Sequence, residues 1–281
     1  MAARWTPPDR PLFRTADARP RIAPLYDPAA PRAARQAGRA AVLEFLARWH
    51  YLHHTADAKH PAMTWAFGLW LDTTLSGVLI LNPPAAGVCQ WLYGSDTAWR
   101  RQTIAVTRLA CTDAAPFNTE SYFVSRVLRL LPQHDDRWAT AVSFADRSVI
   151  DPFGRAHTGG IYAAANAWWA GISTPKSWRG FRDPETGARL SRKCGGRTRS
   201  RAECPPGWVL DPAQPLNRFL WFCGPSEAAA RDALQPHVKV VARPDRQPLW
   251  IRPRLLTPRM ARAYPGMREG IALSFAFEPS A

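Results

Sequence analysis

Three residues close together in the sequence carry side chains that could move a proton, orient an acyl group or bind a metal ion. They are a carboxylate, an imidazole and a phenol, at Asp146, His157 and Tyr162. Two glycines, Gly159 and Gly160, stand between the histidine and the tyrosine. A helix cap or a turn does not by itself require a histidine and a tyrosine on either side of two glycines, so the arrangement indicates a site.

A strand, a loop and a helix would bring these side chains to one rim. Residues 141–145 are small or apolar around one hydroxyl, which predicts a buried strand, and Asp146 follows at its carboxyl edge. Open α/β folds place their ligands at that edge. The structural alternative is that Asp146 caps the next helix, the glycines form a turn and Tyr162 only packs.

Charge is the strongest signal from the whole chain. The 281 residues include 37 Lys and Arg against 22 Asp and Glu, which gives a formal net charge of +15. An excess of this size predicts a polyanionic partner, and nucleic acid is the commonest one for a soluble chain.

Part of the excess is concentrated between residues 176 and 201, where nine cations accompany only Asp183 and Glu185. We expect this segment to follow nucleic-acid phosphates, although a solvated loop could have a similar composition. The residues predicted to contact nucleic acid are Lys176, Arg179, Arg192, Lys193, Arg197 and Arg199.

Several protein classes are excluded by composition. No run approaches eighteen apolar residues, so no membrane span is predicted, and the N-terminus lacks the apolar centre of a signal peptide. The five cysteines form no C-x-x-C pair, which is typical of reduced thiols in a cytoplasmic protein.

The elements alternate in a way that predicts one mixed α/β sheet flanked by helices. Residues 1–36 are expected to form a basic, Pro/Arg-rich arm, 37–225 the main domain and 226–281 a basic C-terminal appendage. Predicted helices cover 34–49, 118–131 and 162–169, and a hairpin covers 65–81. Predicted strands cover 90–93, 104–111, 141–145, 189–193 and 219–223.

Taken together, the motifs resemble the Mom family of phage DNA-modification proteins, which are variants of the GCN5-related N-acetyltransferase (GNAT) fold. The resemblance covers about residues 45–225 and is most specific in Ser143–Asp146 and His157–Tyr162. The other segments that carry it are His50–Tyr51, Leu75–Val78, Thr107–Leu109, Ser121–Leu131 and, more weakly, Asn217–Phe222. The loop between Asp146 and His157 is longer than is usual in the family.

The resemblance implies a GNAT-like, mostly antiparallel sheet and an enzyme that binds acetyl-CoA and uses iron. That enzyme would convert adenine in double-stranded DNA to a methylcarbamoyl-type derivative at its exocyclic amine. The modification would protect phage DNA from restriction inside a bacterial host. The positions that match important family residues are Arg108, Asp146, Tyr162, His50, Tyr51 and either Ser121 or Ser125.

Acetyl-CoA would place its pyrophosphate where the fourth strand of the domain turns into a helix. Here that turn, residues 111–119, contains no glycine. Asn118 or Thr119 could cap the helix, whose N–H groups, with Ser121, could still meet an anion.

Metal chemistry is a reasonable requirement because the lone pair of the adenine amine is delocalised into the ring. Candidate ligands are His50, His157 and Asp146, with Tyr51 as a further donor, a mixture that suits iron better than zinc. The alternative for the neighbouring His53 and His54 is that they only end a helix.

An adenine inside a duplex must be flipped out and stacked between flat side chains. Trp168, Trp169 and Trp178 lie nearest the predicted site in the sequence. Two other functions remain open: an N-acyltransferase acting on a small-molecule, protein or RNA amine, and a non-catalytic DNA-binding protein on a GNAT scaffold.

Overall fold

A computed structural model describes residues 13–50, 63–84, 101–146, 157–172, 178–194, 197–212 and 216–223. The helices are α1 (Thr15–Ala18), α2 (Arg32–Trp49), α3 (Thr119–His134) and α4 (Gly160–Ala164). The strands are β1 (Pro20–Tyr26), β2 (Trp65–Leu71), β3 (Thr74–Asn82), β4 (Thr103–Cys111), β5 (Thr140–Asp146), β6 (Trp168–Ile172), β7 (Trp178–Arg182), β8 (Arg189–Ser191), β9 (Lys193–Cys194), β10 (Arg197–Thr198), β11 (Val209–Pro212) and β12 (Leu216–Phe222).

Seven strands form the central sheet in the order β1-β2-β3-β4-β5-β12-β6. Every neighbouring pair is antiparallel except β4 and β5, which are parallel. The predicted mixed, mostly antiparallel sheet flanked by helices is therefore confirmed.

Helices α2 and α3 cover opposite faces of this sheet. Alternate side chains of β2 and β3, such as Phe67 and Leu79, pack with α3, while Ala66, Val78 and Ile80 pack with α2. Because both faces are covered, these strands are apolar almost without interruption, as is usual for a sheet with no solvated face.

The N-terminal segment is more ordered than its composition predicts. Residues 20–26 form the edge strand β1, so the prediction of an arm through residue 36 is wrong for this part. An edge strand needs hydrogen bonds on one side only, which accommodates Pro20 and Pro24. Helix α2 then packs so closely that a Cβ on Gly38 would lie 1.7 Å from the Leu25 carbonyl oxygen.

The predicted helix at 162–169 is also wrong in its second half. Helix α4 ends at Ala164, Asn166 has a left-handed φ of 67°, and Trp168 begins strand β6. Pairing with β12, including Leu220 opposite Trp168, provides a ladder that local sequence patterns do not reveal.

The other predicted elements within the described residues are present, with shifted ends. The hairpin is β2–β3 and the helix at 118–131 is α3. The predicted strand at 90–93 and the appendage at 226–281 lie outside the described residues. Among the helices that are described, none is both long and apolar enough to cross a membrane.

The basic segment forms structure of its own beside the central sheet. Strands β11, β7 and β8 make a three-stranded antiparallel sheet, and β9 pairs with β10 as a short hairpin. Sequence patterns predicted only the strand at 189–193 within this region, which corresponds to β8 and the start of β9.

Candidate active site

The site lies where β5 ends, between β12 and the start of α4. Strands β4 and β5 pair at three positions, from Thr103 opposite Thr140 to Ala105 opposite Val142. Beyond this ladder both strands continue toward the same edge, where β4 carries Arg108 and β5 carries Asp146. On its other side, Asp146 is opposite Leu216 of β12.

The loop carrying His157 is fixed by buried hydrogen bonds to β12. The Asn217 side-chain amide donates to the Thr158 carbonyl oxygen at 2.9 Å, and the Trp169 indole donates to the Asn217 side-chain oxygen at 3.5 Å. Gly159 has a φ of +92°, and a Cβ there would lie 2.2 Å from the Phe219 ring. Glycine at this position is therefore required by both the backbone and the packing.

Tyr162 both packs and faces the histidine. Its ring lies 5.3 Å from that of Phe219 and 5.5 Å from that of Trp221, and only 8% of the residue is exposed. The His157 ring stands edge-on to it at 6.0 Å. The Tyr162 ring therefore packs in the core, and the same ring also lies beside His157 in the cluster.

His157 is held in its neutral form. Burial lowers the pKa of His157 below its ordinary value of 6.5, and the nearby charge of Asp146 raises it by a smaller amount. A neutral imidazole near pH 7 can accept a proton, which is the property a general base needs.

Asp146 is bound to an arginine that was predicted to contact DNA. Nη1 of Arg179 donates to Oδ2 of Asp146 at 2.8 Å, and Nε of Arg179 donates to Oδ2 of Asp211 at 2.7 Å. The Arg179 side chain is only 24% exposed. Two carboxylates already bind its guanidinium group, and this competes with its predicted role as a phosphate ligand.

The predicted iron ligands do not come together. His50, Asp146 and His157 are all described, yet no group of three His, Cys, Asp or Glu side chains in the described residues could hold a metal ion. His50 is buried at the end of α2, where its backbone N–H donates to the Leu46 carbonyl oxygen, and the Asp146 carboxylate accepts from Arg179. This ligand set does not fit iron, and Tyr51 lies outside the described residues.

The remaining predicted catalytic residues lie on β4 and α3. Arg108 is half-buried and its Nη1 donates to the Thr107 carbonyl oxygen at 2.8 Å. Ser125 is half-buried in the second turn of α3. Within the described residues, neither side chain forms a hydrogen bond or ion pair with Asp146, His157 or Tyr162.

The turn expected to receive acetyl-CoA lacks the predicted side-chain cap. Asn118 has a left-handed φ of 71° and its side chain does not cap α3, while the Thr119 hydroxyl donates to the Pro116 carbonyl oxygen at 2.7 Å. Ser121 is buried in the first turn. Burial raises the pKa of the nearby Cys111 thiol, and the negative charge of Glu120 raises it further. The start of α3 therefore already carries a negative charge where the CoA pyrophosphate is expected.

The predicted DNA-contacting residues differ in their surroundings. The Arg192 guanidinium lies 5.2 Å from the ring of Trp178, which packs against Phe181 at 4.9 Å. Arg199 is half-buried. The backbones of Lys193 and Arg197 lie in the β9–β10 hairpin, and Lys176 lies outside the described residues.

Of the tryptophans predicted to stack on a flipped base, Trp169 is buried, so the prediction is wrong for this residue. Trp168 and Trp178 are half-buried.

Two residues that organise the site were not predicted. Asn217 is fully buried in β12, and Asp211 is 4% exposed in β11. A polar residue within the apolar run of β12 is a signal that could have identified Asn217, since buried amides require partners. Nothing in the local sequence distinguishes Asp211.

Comparison with known proteins gives one family and several distant structures. The model of the Mom protein family matches residues 33–198, more than half of the chain. None of the curated proteins matches the sequence.

The similar solved structures share little sequence with this chain. An acetyltransferase from Bacillus subtilis in complex with CoA is 12% identical with a TM-score of 0.36, covering 72% of this chain and 98% of that one. An N-acetyltransferase from Staphylococcus aureus Mu50 is 10% identical with a TM-score of 0.38, at 72% and 98% coverage. FeeM, an N-acyl amino acid synthase from uncultured soil microbes, is 16% identical with a TM-score of 0.31, at 72% and 91% coverage. Scores this low carry no inference about activity.

The family match runs from α2 through β10 and includes Asp146, His157 and Tyr162, but it ends before β11 and β12. The sheet, with one parallel pair that diverges between flanking helices, is of the GNAT-like kind that the resemblance predicted. On the extent of that match, the chain belongs to the Mom protein family.

Proposed function

We propose that the chain transfers an acetyl-CoA-derived, methylcarbamoyl-type group to the exocyclic amine of adenine in double-stranded DNA, and that this protects the DNA from restriction. The observation that carries the proposal is the assembly of Asp146, His157 and Tyr162 inside the region matched by the Mom family model. The net charge of +15 supports a polyanionic substrate.

His157 is the proposed proton acceptor. When the amine nitrogen bonds to the acyl carbon of acetyl-CoA, the C–S bond breaks and CoA leaves as its thiolate. The nitrogen also loses one proton, and a neutral imidazole can take it. Burial keeps His157 neutral, and the Asp146 carboxylate stabilises the imidazolium that then forms. The Tyr162 ring stands edge-on to the imidazole, and its hydroxyl is the proposed second proton-transfer or orienting group.

Acetyl-CoA is the proposed co-substrate, bound at the β4–α3 turn. The positive end of the α3 dipole favours an anion there, while the charge of Glu120 opposes it. The predicted iron ligands do not fit a common ion. The roles proposed for the side chains of the cluster are therefore limited to orienting the reactants and moving the proton.

Nucleoside mass spectrometry tests the proposal. DNA, RNA and small amines are analysed from bacteria that express the wild type, the His157→Gln variant or the His134→Gln control, whose histidine is exposed on α3. We expect a modified adenine nucleoside with the wild type and the control, and its loss with His157→Gln. Acylated RNA or small amines, with unmodified DNA, would favour an N-acyltransferase. DNA binding without any modified product would favour a non-catalytic DNA-binding protein.

Tyr162 gives a sharper test of the cluster. Tyr162→Phe keeps the packed ring and removes only the oxygen, so folding should lose no more than about 0.5–1.5 kcal/mol. We expect modification to fall at least about a hundredfold, as for a positioned acid–base group. Tyr26→Phe on the edge strand β1 is the control, and melting curves and nucleoside analysis compare the two variants. Full activity of Tyr162→Phe would show that the hydroxyl takes no part in the reaction.

A further inference from the structure

Arg179 joins the two sheets of the molecule at the candidate active site. Its guanidinium binds Asp146 at the end of β5 in the central sheet and Asp211 on β11 in the three-stranded sheet, at 2.8 and 2.7 Å. The side chains of Arg179, Asp146 and Asp211 are 24%, 27% and 6% exposed. One cation therefore binds two carboxylates, of which Asp211 has little access to water and Asp146 is half-buried.

The geometry of the contact requires an arginine. Nε and Nη1 are different donors of one rigid plane, and each binds a different carboxylate. A lysine carries its charge at a single point and cannot reproduce this fork. If the arginine is lost, Asp211 becomes a buried carboxylate without its cation, which is strongly unfavourable.

The same contact sets the direction of the Asp146 carboxylate. Arg179 binds Oδ2 of Asp146, and the charge of that carboxylate acts on His157. Strand β7, which carries Arg179, is the middle strand of the small sheet. The Arg179 carbonyl oxygen also accepts a hydrogen bond from the Arg192 backbone N–H at 2.8 Å. A change in the position of the small sheet would therefore be transmitted to Asp146.

We propose that Arg179 is a positioning residue, which orients Asp146 for His157 and locks the three-stranded sheet to the active-site edge. It is not a DNA phosphate ligand. The proposal rests on the proposed function for its catalytic consequence, but the locking of the small sheet is independent of any substrate.

The first experiment compares Arg179→Gln with two other arginine variants. Arg129→Gln changes an exposed arginine on α3, and Arg199→Gln changes a predicted phosphate contact. Each full-length protein is assayed for kcat and KM on an adenine-containing duplex, and for the dependence of duplex affinity on salt. We expect Arg179→Gln to lower kcat on the order of 100-fold with KM and salt slope unchanged. Arg199→Gln should flatten the slope by about 0.9, and Arg129→Gln should change neither.

An opposite pattern would overturn the proposal. If Arg179→Gln flattens the salt slope and leaves kcat intact, the arginine is a phosphate ligand after all.

A double variant separates positioning from simple structural support. In Arg179→Gln with Asp211→Asn no buried carboxylate is left on β11, so the small sheet should dock again, while Asp146 still lacks its cation. We expect hydrogen-exchange protection at residues 178–182 and 209–212 to be lost in Arg179→Gln and largely restored in the double variant, with kcat still low. Recovery of kcat together with protection would reduce Arg179 to a structural role.

The exchange measurement also separates this proposal from the proposed function. If the wild type leaves DNA unmodified, the proposed function fails, and the exchange data still decide whether Arg179 locks the sheet. Equal protection in Arg179→Gln and Arg129→Gln would refute the lock whatever the substrate is.

Discussion

The central sheet and the small sheet next to it are held together by different interactions. In the central sheet, Phe67, Leu79 and Ile104 have no exposed surface, and helices cover both faces. In the small sheet, the only side chains described as buried are Phe181 and Asp211, and Arg179 joins it to β5 through an ion bridge. Apolar burial is non-directional and supports a stable core, whereas an ion bridge fixes direction, which is what a catalytic carboxylate needs.

The largest expected effect comes from removing one buried ring from each sheet. Phe67→Ala should lower the free energy of unfolding by about 3–5 kcal/mol, because a cavity forms in the core. Phe181→Ala should mainly reduce exchange protection at β7 and β11, since local opening need not unfold the central sheet. Denaturant unfolding and hydrogen exchange test both variants; an equal loss of global stability would mean that the two sheets unfold as one unit.

A smaller loss is expected at the loop before α4, which carries His157. Gly159→Ala should destabilise the protein by about 1–3 kcal/mol beyond its control, because a methyl group would overlap the Phe219 ring. Gly187→Ala is the matched control: Gly187 also has a positive φ, of +71°, but nothing lies within 4 Å of an added Cβ. Thermal unfolding of the two variants separates overpacking from backbone strain. Equal losses would show that packing against Phe219 is loose.

The other cations of the basic segment are expected to act mainly on DNA binding. Replacing Arg192, Lys193, Arg197 and Arg199 with glutamine should flatten the plot of log affinity against log salt by about 0.9 for each phosphate that is no longer neutralised. Duplex affinities at several salt concentrations provide the test. An unchanged slope would mean that these cations are only solvated or are used within the protein, as Arg179 is.

The smallest effect concerns pH. The pKa of His157 is lower in the folded protein than in the unfolded chain, where it is about 6.5. As the pH falls, His157 is therefore protonated in the unfolded chain before it is protonated in the folded protein. The free energy of unfolding should therefore be fully retained above about pH 6.5 and decrease as the pH falls toward the folded pKa, by at most about 1.4 kcal/mol per pH unit. Urea unfolding of the wild type and His157→Gln between about pH 7.5 and 5.5 tests this expectation. The same dependence in both proteins would assign it to other groups.

Sequence patterns predicted the site where its parts are local. Asp146 ends a strand and Tyr162 lies in a helix that begins two residues earlier, so short-range propensities brought them to one rim. They failed at Trp169, where pairing with β12 replaced a helix by a strand. They also failed for the iron ligands, because His50 ends a helix on a distant part of the chain and no local rule brings it to Asp146.

By itself, the sequence determined the apolar runs that build a doubly covered mixed sheet, the charge of +15 and the order of Asp146, His157 and Tyr162. Only the tertiary structure decided which cations face inward. Arg179 meets Asp146 across 33 positions and Asp211 across 32, and Asn217 meets Thr158 across 59. Composition treats every arginine of the basic segment alike, whereas the carboxylates that surround one of them are supplied by strands remote in the chain. Burial and hydrogen bonding, which decide the role of a charged group, are properties of that assembled environment.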